Sequence, residues 1–217
     1  MPHEVTRISI KEQVYQILRE RILRQEFRQG DRMNIDAIAR DLQVSNSPVR
    51  EAISLLEMEG LVVSRPNAST VVIDLNRDDY FELAQLTFFW VVSAYRFCVR
   101  SGKSQKLSDM LLEQLEEQKQ FLEKNDKFLS TEAAVRFTRC ILVATENARL
   151  LKQFDNIFGL LVLLYHYARE QEDPTGKLCF AQQQSIYEAV RERWHDDTVE
   201  GLAKHFYRPV WGDDTGR

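Results

Sequence analysis

Cysteine is scarce in this chain and odd in number: Cys98, Cys140 and Cys179 lie far apart, each in apolar helix-forming surroundings. A disulfide framework is therefore not expected, and reduced core thiols in a cytosol fit best. No apolar run approaches the ~20 residues that span a bilayer, so no membrane segment is expected. The first residues, Met1-Pro2-His3-Glu4-Val5-Thr6-Arg7, lack the apolar stretch of a secretory leader, which points to a cytoplasmic protein. No Ser-His-Asp or Cys-His set, phosphate loop or paired carboxylate series stands out, so neither an enzyme nor a cofactor is expected.

An excess of basic charge is also missing. The net charge is −4, and the deficit is spread along the chain: ten Lys/Arg against eleven Asp/Glu over residues 1–75, nineteen against twenty-two over residues 76–217. Contact with a polyanion would have to come from local clustering. Arg28, Arg32, Arg40, Arg50 and Arg65 are the candidates. On charge alone, ordinary solvated surface describes them equally well.

What is present is a core-forming composition, 44% hydrophobic and 29% charged over 217 residues, and a change of character near Asp74. A β-branched hairpin precedes that point and almost unbroken helix-forming sequence follows it, so two domains are expected, residues 1–75 and 76–217. The first is organised around residues 34–69. Asn34 is placed to cap a helix over residues 35–42, where Ile35, Ile38, Ala39 and Leu42 share a face. Gln43-Val44 makes the turn. Ser45 would cap a second helix over residues 46–59, with Pro48 in its first turn and Val49, Ala52, Ile53, Leu56 and Met58 available for the core. Gly60 stops it. An extended pattern follows, Leu61-Val62-Val63-Ser64-Arg65, a Pro66-Asn67-Ala68-Ser69 turn and Thr70-Val71-Val72-Ile73. Two helices, a sharp turn and a hairpin make a winged helix-turn-helix. Ahead of it, Ser9-Ile10-Lys11-Glu12 opens a helix to about Gln25, whose stripe of Val14, Ile17, Leu18, Ile22 and Leu23 must pack on the turn-helix unit.

Several of these runs carry a resemblance. Leu18-Arg19-Glu20-Arg21-Ile22-Leu23, the Gly30-Asp31-Arg32-Met33 turn, Ile38-Ala39-Arg40-Asp41-Leu42-Gln43-Val44-Ser45, and Pro48-Val49-Arg50-Glu51-Ala52-Ile53 followed by Leu55-Leu56-Glu57-Met58-Glu59-Gly60-Leu61-Val62 resemble, in order and spacing, the DNA-binding domain of the GntR family of bacterial transcription regulators. That implies a double-stranded DNA operator as partner. The exposed first turn of the second helix, Ser45, Asn46, Ser47 and Arg50, has the groups for base edges and phosphates, and its helix N-terminus favours a phosphate. Asn67 and Ser69 fall at the wing tip. Asn46 stands where family members commonly have arginine, and Ala68-Ser69 where they have a basic residue and a glycine. Asparagine prefers adenine where arginine prefers guanine, so the operator is expected to differ.

After residue 76 the pattern is a bundle of about six helices, and the fold class is mainly α. Behind a GntR-type reader this is similar to the FCD ligand-sensing domain of the fatty-acid-regulator-like subfamily, with Asn147-x-x-Leu150, Ile186-x-x-Ala189 and His205 at that domain's landmarks. The resemblance would imply a metal held by an Asp and three His, binding a carboxylate effector. Here those positions are Ala134, Thr138, Gln183 and His205, and one imidazole with an amide and a hydroxyl does not make a divalent site, so no metal is expected. Arg136, Thr138, Arg139, Gln183 and His205 are the candidate lining of a remnant cavity, suited to an organic anion bound without metal. His166 and the Phe88-Phe89-Trp90/Tyr95 cluster are expected in core or dimer packing. The function this implies is a homodimeric regulator that reads a palindromic operator and answers a small-molecule effector. A helical ligand-binding module with a weakened reader is the alternative.

Overall fold

The computed structural model describes residues 9–64, 69–192, 198–199 and 201–202. Contacts divide the chain into two compact units, Met1–Leu75 and Asn76–Arg217. In the first unit the order is α1 (Ile10–Leu23), α2 (Ile35–Asp41), α3 (Asn46–Met58), β1 (Val62–Ser64) and β2 (Thr70–Val72). In the second come α4 (Arg77–Arg100), α5 (Ser104–Glu123), α6 (Lys127–Val143), α7 (Ala148–Glu172) and α8 (Lys177–Glu192).

The helices of the first unit start where the sequence offers side-chain acceptors. Ser9 accepts from the Glu12 N–H and Asn34 from the Ala37 N–H, each satisfying an orphan donor of a first turn. Ser45 holds the N-cap position of α3, but its side chain makes no capping bond, contrary to the expected cap. α1 stops at Leu23 rather than Gln25, because Gln25 turns into the left-handed region (φ 60) and its neighbours close the end with Glu26 N–H to Arg21 O at 2.9 Å, a terminus that recaptures the last carbonyls. Gln43 does the same between α2 and α3 (φ 55), which makes the sharp turn.

α1 packs on α3, and α2 on α3. The shared core contains Val14, Leu18, Ile22 and Leu23 with Ile38, Ala39, Val49, Ala52, Ile53, Leu56, Leu61 and Val72. Two expected core residues are outside it. Met58 is 82% exposed and Ile17 40% exposed; Met58 lies in the last turn of α3, on the side away from the stripe that Val49, Ala52, Ile53 and Leu56 form. At the same end Glu59 accepts from Arg19 Nε at 2.8 Å and from the Tyr15 hydroxyl at 3.0 Å. Burial, then the Glu59 carboxylate, push the Tyr15 phenol up to about 12.

β1 and β2 are antiparallel, with Val62 opposite Val72 and Ser64 opposite Thr70. Residues 30–33, expected as a loop, run beside β2: Met33 N–H donates to Thr70 O at 2.9 Å and Val72 N–H to Asp31 O at 2.9 Å.

In the second unit Asn76 and Asp79 form a reciprocal capping box on α4. α6 begins at Lys127, where Asp126 caps it by accepting from Leu129 N–H. Asn147 caps α7 through the N–H groups of Arg149 and Leu150. α5 packs against α6 and α8, and α6 against α4 and α7. Phe137, Ile141, Leu142, Leu111, Leu107, Phe154 and Tyr95 are almost completely buried. The three cysteines are free thiols. No helix among the described residues is long and apolar enough to cross a membrane.

Candidate nucleic-acid interface and ligand cavity

The N-terminal turn of α3 projects from the first unit with Ser45, Asn46, Ser47 and Arg50 all exposed. α1 and α2 cover the opposite, apolar face of this helix, which is why its polar residues are left to solvent. Two of the four side chains are engaged by carboxylates. Asn46 Nδ2 donates to Asp36 Oδ1 of α2 at 2.7 Å, and Ser47 Oγ donates to Glu51 Oε1 at 3.3 Å. Arg50 makes no ion pair among the described residues.

Arg40 is exposed and turns its Nε onto Asp36 O at 3.2 Å. Arg28 and Arg32 are exposed too, and the backbone of Arg32 bridges to Val71 of β2. The strip carrying Arg28 and Arg32 is thereby tied to the wing. Ser69 is half-buried at the start of the return strand. Arg65 and Asn67 lie outside the described residues.

The cavity of the second unit lies among its helices and encloses about 100 Å³. α4 contributes Tyr80, Ala84 and Thr87; α5 Gln118 and Leu122; α6 Ser130, Thr131 and Ala134. Leu161, Leu164, Tyr165, Ala168 and Arg169 come from α7; Asp173 and Gly176 of the following turn, with Leu178, Cys179 and Gln182 of α8, complete the lining.

Of the side chains expected to line it, Arg136, Thr138, Arg139 and Gln183 are not among these residues. Arg136 is held by Glu117 and Glu132, each at 3.2 Å. Arg139 forms a two-pronged pair with Asp155, Nε to Oδ1 at 2.7 Å and Nη2 to Oδ2 at 3.0 Å. Both guanidiniums thus have carboxylate partners within the fold. Thr138 is buried, and Gln183 is buried with its Nε2 on Ala134 O at 2.9 Å. Gln183 thus stands behind the lining residue Ala134. His205 lies outside the described residues. No group of three or more His, Cys, Asp or Glu among the described residues is arranged to hold a metal ion.

Arg169 is the cavity residue that sequence reasoning passed over. Its Nη1 donates to Lys127 O at 3.0 Å, Ser130 Oγ at 2.6 Å and Thr131 Oγ1 at 3.1 Å, and its Nη2 to Thr175 O at 3.0 Å. Burial holds its pKa below the ordinary arginine value. The one signal in the sequence was the Pro174-Thr175-Gly176 turn that receives it. Cys179 is pushed up to about 12, first by burial and then by Asp173, and the Tyr165 phenol is raised by burial. Both stay neutral at any physiological pH, so neither supplies a nucleophile. His166, expected in the core, stacks on Phe128 with ring centres 5.9 Å apart, and burial with Arg169 nearby lowers it to about 4.

The comparisons with known proteins agree with this geometry. The sequence pattern of bacterial regulatory proteins of the gntR family matches residues 10–72, and that of the FCD domain matches residues 93–208. The chain is 34% identical over 91 residues to the Nta operon transcriptional regulator of Aminobacter aminovorans, a match that spans 41% of this chain and 43% of that protein. It is 22% identical over 200 residues to the uncharacterized HTH-type transcriptional regulator YdhC of Bacillus subtilis (strain 168), over 89% of this chain and 86% of that one. A solved transcriptional regulator GntR from Rhodococcus sp. RHA1 has the same fold, with a TM-score of 0.78 at 18% identity over 92% of this chain and 95% of its own. With a DNA-binding winged helix-turn-helix ahead of a helical domain that fills more than half the chain, this protein belongs to the GntR family of transcription regulators, in the group whose second domain is an FCD domain.

Proposed function

We propose that this regulator binds a palindromic operator as a homodimer and answers a small-molecule effector bound in its second unit. The observation that carries the DNA part is the exposed N-terminal turn of α3, with Arg50 unpaired among the described residues beside the hydroxyls of Ser45 and Ser47. A helix N-terminus with one guanidinium and small polar side chains fits the major groove, the guanidinium taking guanine or a phosphate. Arg28, Arg32 and Arg40 would hold the flanking backbone, as would Arg65, Asn67 and Ser69 at the wing.

The dimer reading is supported by α4. Leu86, Phe89 and Phe97 are exposed at 37%, 55% and 49%, and spacings of three and eight residues put them on one helix face. A second copy covering that face would bring two readers to half-sites about one DNA turn apart. Light scattering at micromolar concentration should give twice the chain mass; a monomer with undiminished operator affinity would defeat the dimer.

The alternative, a helical ligand-binding module whose reader has weakened, draws on Asp36 of α2 and Glu51 of α3, two carboxylates that engage side chains of the reading turn. Gel shifts with genomic fragments decide between the two. A true reader keeps its preferred fragment under competitor DNA, whereas residual electrostatic binding disappears. On such a fragment, Arg50→Ala should weaken binding by roughly 1–3 kcal/mol, as for one good base or phosphate contact. Unchanged affinity would remove Arg50 from the reading surface.

A further inference from the structure

The geometry points to Arg169 as the anchor of a metal-free carboxylate site: the cavity of the second unit takes a small organic acid, its carboxylate on the Arg169 guanidinium and its apolar body among Ala84, Leu161 and Leu164. This rests on reading the second unit as the effector-binding part of the regulator, and it replaces the lining expected from the sequence with one built around a different arginine.

Three observations converge. The first is that every hydrogen-bond partner the structure gives this guanidinium is neutral, two carbonyls and two hydroxyls, and Nε is buried with no acceptor. Arg136 and Arg139 each hold a carboxylate; Arg169 makes no ion pair among the described residues. A half-buried cation with neutral hydrogen-bond partners and a spare buried donor is a deficit that an anion removes. The acid in the same wall, Asp173, acts on Arg169 through space but does not pair with it: Oδ2 accepts from Cys179 N–H at 2.9 Å and Oδ1 from the Thr175 hydroxyl at 3.2 Å.

The second is that the guanidinium is fixed in place. Gly176 sits in the left-handed region at φ +72, and a Cβ there would lie 2.9 Å from Arg169 Cζ. The turn needs glycine for its backbone and again for the close approach of the arginine.

The third is the chemistry of the space. Apart from Arg169 and Asp173 its walls are neutral and largely aliphatic or aromatic, and about 100 Å³ admits a ligand on the order of ten non-hydrogen atoms. Gln118 keeps its buried Oε1 without a partner. That acceptor suits a hydroxyl on the ligand. The ligand class is therefore a monocarboxylate of benzoate or hexanoate size, favoured when it also carries a hydroxyl.

Thermal melts and calorimetric titrations of the full chain test this without DNA, so they succeed or fail independently of the operator experiments. Benzoate, 4-hydroxybenzoate and hexanoate are the probes, with benzamide and inorganic phosphate at matched ionic strength as controls. At one hundred times its Kd, a carboxylate should raise the melting temperature by roughly 5–10 °C, and the controls should not. Arg169→Gln should weaken carboxylate binding at least tenfold, Gln118→Leu should abolish only the preference for the hydroxylated acid, and Arg139→Gln should change neither. Because Arg169 also ties down Lys127 and Thr175, a second variant, Ala84→Leu, fills the cavity and leaves the arginine alone; it should block binding as well. Carboxylate binding that survives in Ala84→Leu or in a folded Arg169→Gln overturns the site. So does phosphate binding as well as the acids, or the failure of all three acids to bind.

Discussion

Asn46 Nδ2 donates to Asp36 Oδ1 at 2.7 Å, joining the reading turn of α3 to α2. The amide is thus oriented from behind by a carboxylate, and that carboxylate stands beside the helix terminus where a DNA phosphate is favoured. Asn46→Arg should therefore do two things: shift the preferred operator base from adenine toward guanine, and place a guanidinium within reach of Asp36. Selection of bound sequences from a random pool checks the first. Adding Asp36→Ala to Asn46→Arg should then strengthen binding further, because it frees the arginine; an unaltered sequence preference in both variants would show that residue 46 does not touch a base edge.

Glu59 closes the far end of the same helix and should matter for stability instead. Its side chain is 11% exposed and accepts from both Arg19 and Tyr15, so Glu59→Ala leaves a partly buried guanidinium and phenol without their acceptor. The expected loss is about 2–3 kcal/mol by urea unfolding. Met58, one residue earlier, is 82% exposed, and Met58→Lys should stay within ~0.5 kcal/mol of the parent. If the two variants cost the same, the packing of α1 on α3 is not what Glu59 secures.

The contrast between Glu59 and Met58 shows what could be inferred from the chain. Capping residues and periodicity placed α2, α3 and the hairpin, because those signals are local. Met58 was assigned to the core by its hydrophobicity, and only the direction in which α3 presents its stripe decides otherwise. The cavity was harder still. Arg136, Arg139 and Arg169 all look alike in sequence, each a basic residue on a helix, and what separates them is that Glu117, Glu132 and Asp155 reach the first two. Asp126 capping α6 and Asp36 holding Asn46 are equally pairwise facts. The family motifs carried the architecture but not these partners.

The metal positions of the FCD pattern offer a direct measurement. Ala134, Thr138 and Gln183 carry a methyl, a hydroxyl and an amide, and the amide is engaged with the Ala134 carbonyl. Neither a chelator nor Zn²⁺ or Ni²⁺ should move the melting temperature, since only a ligand that binds the folded state stabilises it. Elemental analysis of protein purified without a His-tag should find no stoichiometric metal. A stoichiometric ion would mean that His205, with groups beyond the described residues, completes a site.

His166 gives the pH dependence. Burial first, and Arg169 second, lower its pKa from 6.5 to about 4, and its Nε2 is buried without a partner. The folded protein therefore keeps the ring neutral over a range in which the unfolded chain takes up a proton. A depressed pKa of this kind contributes stability that is complete above about pH 6.5 and is lost as the pH falls toward 4, with a limit of about 3 kcal/mol for a shift of this size. His166→Leu removes the titrating group and the unpartnered nitrogen together. It should leave stability at pH 7 within ~1 kcal/mol of the parent and flatten the decline between pH 6.5 and 4, so that the variant is the more stable protein at pH 4.5. Urea unfolding at four or five pH values measures both; parallel curves for parent and variant would assign the acid sensitivity to other groups.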